Sequence, residues 1–251
     1  DRLQPIEQEF NDGMQASVRG LSPQWRVALE KLFGKQIRIG GDDAVWVPGE
    51  HPPRPPGARP VRSAFQLDAA TVITEPVRRA LGRMGDTHWV ETLARIPVRP
   101  MVAGEPGVDG ALVLDRMADG RLQPRHIEIR PTAPSVEAAL IHEAGHYFNR
   151  FAWGTDGAPA SSVSPEFAEW RAAVERTALY REAIQAGDAY LADWNELWAR
   201  AYSQWVIERA PDWALAEWIE QRAGISQWDP AEFGPVAAEV SALLRRKGWL
   251  Q

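Results

Sequence analysis

Residues 47–60 read VPGEHPPRPPGARP, and the six prolines there rule out a helix or a central strand through the stretch. The segment is expected to be an extended linker or wrapping arm. It splits the reading into residues 1–60, an N-terminal helix, hairpin and arm, and residues 61–251, the main domain. Ahead of the arm, Ser22-Pro23 opens a short amphipathic helix that Gly34 closes. Strands over 36–39 and 44–47 form a hairpin across Gly40-Gly41-Asp42-Asp43.

In the main domain strands come first and helices later. A helix is expected over 74–84, and strands over 112–114 and 126–130. From Ser135 onward helices are expected over 135–152, 164–186, 193–209, 212–223 and 229–247. Ser164-Pro165 and Asp229-Pro230 start helices, and Gly187, Gly224 and Gly248 end them. That order favours an α+β domain, with a small mixed sheet followed by a mainly helical C-terminal half, over a doubly wound sheet.

Composition narrows the function classes. The chain has 251 residues, a formal net charge of −6 and no cysteine, which excludes disulfides and thiolate metal sites. A sequence pI near 5.5 gives no footing for a nucleic-acid partner. No apolar run approaches the roughly 18 residues of a membrane span, so no membrane partner is expected. No cationic segment followed by an apolar one marks a signal peptide. A start at Asp1 and not Met leads to the expectation of a removed leader or a larger parent chain.

The informative segment is Ala139-Leu140-Ile141-His142-Glu143-Ala144-Gly145-His146-Tyr147-Phe148-Asn149, which contains H-E-x-x-H. Imidazoles at i and i+4 lie about 40° apart on one helix face, so both reach one tetrahedral ion. Glu143 lies beside them, where it can take a proton from a metal-bound water. On a helical wheel Leu140, Ile141, Ala144, Tyr147, Phe148 and Phe151 form an apolar arc. His142 and His146 sit opposite, beside Ala138, Ala139 and Gly145, on a face of small residues that another element can approach.

A catalytic zinc site takes three protein ligands. No histidine follows His146, and Asn149 and Ala152 stand where an extended H-E-x-x-H-x-x-G-x-x-H pattern needs Gly and His. All methionines lie at or before Met117, so a downstream Met-turn is absent too. A downstream third ligand is then a carboxylate, and two compete. Glu166 lies 20 residues after His146 and also suits the first turn of its own helix. Glu196 lies in Asn195-Glu196-Leu197-Trp198-Ala199, where a small residue one turn after the acid lets a ligand helix come close. Glu196 also fits a capping box with Asp193 and an i,i+4 ion pair with Arg200.

His142–His146 followed by Glu196-Leu197-Trp198-Ala199-Arg200-Ala201-Tyr202 resembles the gluzincin metallopeptidases whose catalytic domain is like that of anthrax lethal factor. The ELWARAY wording is closer still to the metallopeptidase domains of phage minor head (Mu-F-type) morphogenesis proteins. The resemblance spans about residues 126–210. It implies a zincin-like fold and one zinc ion per chain, Zn2+ held by His142, His146 and Glu196, with Glu143 as general base. It also implies a tyrosine ahead of the third ligand that hydrogen-bonds the developing oxyanion, for which Tyr190 is the match. Lethal factor has an acid where this chain has Arg200.

The expected function is a zinc-dependent endopeptidase acting on a protein or peptide substrate, which pairs with the strand at 126–130 by β-addition. The alternatives are a virion or head-morphogenesis module with a retained or degenerate zincin fold, bound to other phage head proteins, and a secreted effector or toxin peptidase. A cytoplasmic or virion-associated location follows if the chain is phage-derived. The twelve tryptophans are expected to pack the core. His126 is expected as a satisfied or exposed strand histidine, and His51 and His88 lack ligand spacing.

Overall fold

The structure, a computed structural model, describes residues 37–40, 43–46, 56–67, 72–104, 106–210 and 213–250. The chain divides into two units, Asp1–His51 and Pro52–Gln251. In the first, β1 (Ile37–Gly40) pairs antiparallel with β2 (Asp43–Trp46), Gly40 opposite Asp43. The expected hairpin is present, its strands running to Gly40 and from Asp43. The expected helix closed by Gly34 and the arm up to residue 55 lie outside the described residues.

The second unit takes in the end of the proline-rich stretch. Arg59–Pro60 is not arm but a strand, β3, antiparallel to β5 (Trp89–Val90). A proline is tolerated there because the pair is only two residues long. Buried Ala58 and Val61 flank it.

A four-stranded sheet follows, in the order β4 (Phe65–Leu67), β6 (Ile96–Pro100), β8 (Leu122–Ile129), β7 (Gly110–Arg116). The first three are mutually parallel, and β7 runs antiparallel to β8 at the margin. Helix α1 (Thr74–Thr87) makes the crossover from β4 to β6. Strands β4 and β6 escaped the sequence reading: one has three residues, and the other, IPVRP, carries two prolines. Strand β8 lies inside the sheet, with Glu128 paired to Arg99 on one side and Ala111 on the other. That corrects the expectation that 126–130 offers an edge to a substrate, since both its ladders are used. On this side of the sheet the margin belongs to β7.

Helix α2 (Val136–Phe148) packs on β7, β8 and α1. Its first turn is tied to α1 by Glu137, which takes Arg83 at 2.9 Å and also Arg79. Ser135 caps it by accepting from Ala138 N at 3.1 Å. A π-helical turn, Asn149–Trp153, continues it. Then come α3 (Ala160–Val163), a 3-10 turn at Pro165–Phe167, α4 (Ala168–Glu175) and α5 (Ala178–Ala186). The single helix expected over 164–186 is therefore broken. Thr177 is extended and caps α5, and its hydroxyl also takes Trp228 Nε1 at 3.2 Å, while Glu232 accepts from Ala178 N at 3.1 Å. Those bonds supply at the break what a continuous helix would supply along its axis.

Helix α6 (Trp194–Arg209) runs through the middle, followed by α7 (Trp213–Glu220) and α8 (Pro230–Arg246). Every residue of α6 from Leu197 to Ile207 is buried, so it is a core helix with no solvent face. Trp170, Trp198, Trp205, Trp228 and Trp249 are fully buried, as expected of core tryptophans. Trp198 meets Trp153, Phe167 and Trp170 edge to face and hydrogen-bonds the Gly145 carbonyl at 3.1 Å. The described unit is thus a mixed α/β structure with a small mixed sheet and a helical C-terminal half.

Candidate metal centre

The site forms where α2 and α6 cross. Along α2, Leu140, Ile141, Ala144, Tyr147 and Phe148 are buried on the sheet side. The opposite face, which holds the two histidines, is also covered, because α6 comes down on it. Gly145 makes that possible. A Cβ built there would lie 3.0 Å from Ala199 Cα and 3.2 Å from Tyr202 Cδ1. The small residue one turn past Glu196 is therefore at the contact itself.

Asp193 caps α6, accepting from Asn195 N at 2.9 Å and Glu196 N at 3.1 Å. The Glu196 side chain does not close the capping box; it turns to the histidines. His142 Nε2 lies 3.4 Å from Glu196 Oε2, and His146 Nε2 lies 3.2 Å from Oε1. The two rings are 4.7 Å apart and nearly perpendicular, at 86°. All three donor atoms fall within 4.8 Å of one another.

Those spacings fit a metal. Charge-assisted N–H···O bonds are shorter, about 2.7–2.9 Å. Ligand atoms about 2.1 Å from a tetrahedral zinc are roughly 3.4 Å apart. Glu196 Oε2 and His146 Nδ1 are buried without a hydrogen-bond partner. A cation facing Glu196 Oε2 would satisfy the first, and two imidazoles with one carboxylate are a donor set suited to zinc.

The electrostatics are coupled. Burial pushes the Glu196 carboxyl up, but the close approach and charge of His142 and His146 outweigh it and leave the carboxyl well below its ordinary range. Burial lowers His146, yet the neighbouring Glu196 carboxylate and the charge of Glu143 raise it overall. The start of α6 adds the positive end of its dipole to a carboxylate in its first turn.

Glu143 is 6% exposed, one residue past His142. It faces the beginning of the marginal strand: a Cβ on Gly110 would lie 2.8 Å from Glu143 Cγ and 3.1 Å from Oε1. The sequence reading did not single out Gly110, and no spacing marks it. Tyr190 is 62% exposed in the turn before α6. The guanidinium of Arg200 sits 4.9 Å from its ring centre, 3.9 Å from Glu196 Oε2 and 3.4 Å from the Leu191 carbonyl. Burial, with the Glu196 charge and hydrogen bond, raises the Tyr190 hydroxyl, against a smaller opposing effect of Arg200. Tyr190 and Glu196 thus share Arg200 as a neighbour.

Glu166, the competing acid, is exposed on its 3-10 turn and takes no part in the cluster. His126 is buried, with Nε2 2.9 Å from Glu128 Oε1. His88 is wholly buried and packed against Phe148, Tyr202, Trp205 and Trp249. His51 lies outside the described residues. Among the described residues no helix is long and apolar enough to cross a membrane. No family model, curated protein or solved structure matches this chain.

Proposed function

We propose that the chain is a zinc-dependent endopeptidase with a zincin-like domain of the gluzincin type, holding one zinc on His142, His146 and Glu196. The observation that carries the reading is the convergence of these three side chains at tetrahedral-edge spacing, with the buried carboxylate of Glu143 beside them and facing β7.

A zinc held there supplies Lewis acidity toward a water and a carbonyl oxygen. Glu143 takes the attacking water's proton and passes it to the leaving amine. Tyr190, whose hydroxyl is protonated at neutral pH, donates to the developing oxyanion. An extended peptide adds to the outer edge of β7, whose first residue abuts Glu143. A glycine at position 110 supports this, since it leaves room between strand and base. A zinc that only stabilised the fold would have no use for a buried acid at 143.

The test is cleavage of quenched fluorescent peptide pools by the zinc-loaded chain, its Glu143→Gln variant and a chelated sample. The reading expects cleavage by the first alone, with zinc content equal in wild type and Glu143→Gln. Equal cleavage by Glu143→Gln, or none by any sample over a broad pool, contradicts it.

A further inference from the structure

Behind the metal-ligand cluster lies a hydrogen-bonded chain that no step above uses. Asn149, one turn after His146, is fully buried, as is Ser161 on α3. Ser161 N donates to Asn149 Oδ1 at 2.8 Å. Asn149 Nδ2 donates to Ser161 Oγ at 2.7 Å and to Asn195 Oδ1 at 3.0 Å. Asn195 is the residue before Glu196.

The directions along this chain follow from its first member. A backbone N–H can only donate, so the Asn149 atom facing it is the oxygen. The nitrogen of Asn149 therefore faces Asn195. Since Nδ2 can only donate, Asn195 presents its oxygen. Asn195 is also a neighbour of His146. With Nε2 turned to Glu196, the other ring nitrogen is Nδ1, which is buried and has no hydrogen-bond partner, so the nearby Asn195 is placed to serve it.

We infer that Asn149, oriented by the Ser161 backbone amide, is a positioning residue for the metal: it fixes Asn195 with Oδ1 toward His146 Nδ1–H. That keeps His146 in the tautomer whose Nε2 lone pair is open to an ion. The relay joins the turn after α2 to the first turn of α6, so the same bonds set the approach of Glu196. The inference rests on the reading of His142, His146 and Glu196 as metal ligands.

The test is zinc affinity of the full chain, by competition with a chromophoric chelator, beside the visible spectrum of the cobalt-loaded protein. Asn195→Ala should bind zinc about 10–100-fold more weakly, as expected when the outer partner of a ligand is removed. Asn195→Asp keeps an acceptor for both neighbours and should stay close to wild type. Asn149→Asp still accepts from Ser161 N but cannot donate to Asn195. It should weaken zinc binding about tenfold and shift the cobalt bands.

Acting through Asn195, Asn149→Asp should add nothing in an Asn195→Ala background. Full additivity, or wild-type affinity in Asn149→Asp and Asn195→Ala with only a lowered melting temperature, overturns the inference and leaves the metal site standing. A wild-type chain that binds no zinc takes down the metal reading and this inference with it. Should Asn149→Asp not fold, the contrast between Asn195→Ala and Asn195→Asp decides alone: equal affinities overturn it.

Discussion

Gly145 and Ala199 meet where the histidine helix and the glutamate helix cross, and a methyl group on Gly145 would come within 3.0 Å of the Ala199 backbone. Glu196 reaches His142 and His146 because of this approach. Gly145→Ala forces α6 outward and carries Glu196 with it. Overpacking of this kind costs about 1–3 kcal/mol. The expected outcome is a lower melting temperature together with zinc affinity reduced about tenfold or more. Unchanged zinc affinity in a destabilised Gly145→Ala variant would show that the crossing distance does not set the site.

A second contact separates metal binding from proton transfer. Gly110 stands against Glu143, which is not among the three proposed ligands. In Gly110→Ala the added Cβ lies 2.8 Å from Glu143 Cγ, so the carboxylate is displaced. Misplacing a reacting group by about 1 Å costs on the order of 10²-fold in rate. Peptide cleavage by Gly110→Ala is expected to fall by about that factor, with zinc per chain unaltered. Loss of zinc from this variant would place the strand's role in the metal site and not in the chemistry.

The ends of the main elements were legible in the sequence because each carries its own local chemistry. Ser135, Asp193 and Asp229 cap helices α2, α6 and α8, and Gly187, Gly224 and Gly248 take positive φ after their helices. H-E-x-x-H put His142 and His146 on one helix face through periodicity alone. What lay across the crossing was less accessible. Of the two acids, Glu196 is the one the structure brings to the histidines, through the packing of α6 on Gly145, a tertiary contact with no local signature. The break at Thr177 was missed because Trp228 and Glu232, some fifty residues away, supply the bonds that end one helix and start the next. The place of β8 inside the sheet was missed for a related reason: its partner β6 is a proline-bearing strand that no alternation pattern reveals.

His88 gives the fold a pH dependence of known sign. The Thr87 hydroxyl donates to the Met84 carbonyl at 2.8 Å, so its oxygen accepts from His88 Nδ1 at 2.9 Å. Nε2 is then the acceptor for the Tyr202 hydroxyl at 3.3 Å. Burial pushes the ring from 6.5 down to about 3, against a smaller raising effect of a Met84 backbone hydrogen bond. The unfolded chain therefore takes up a proton that the folded chain refuses. The contribution is whole above pH 6.5 and is lost as pH falls toward about 3. The loss approaches about 1.4 kcal/mol per pH unit in that window. Denaturant unfolding of wild type and His88→Gln, at intervals from pH 7.5 to 4, is expected to show the difference between them shrinking as pH falls. A difference independent of pH would contradict a neutral, buried His88.

The central claim is that His142, His146 and Glu196 hold one zinc ion. Elemental mass spectrometry of bound metal per chain, on wild type, Glu196→Ala and Glu166→Ala purified alike, tests it most directly. The account predicts close to one zinc per chain in wild type and in Glu166→Ala, and a sharp loss in Glu196→Ala. Loss in Glu166→Ala with retention in Glu196→Ala, or no zinc in wild type even after zinc is added back, would contradict it.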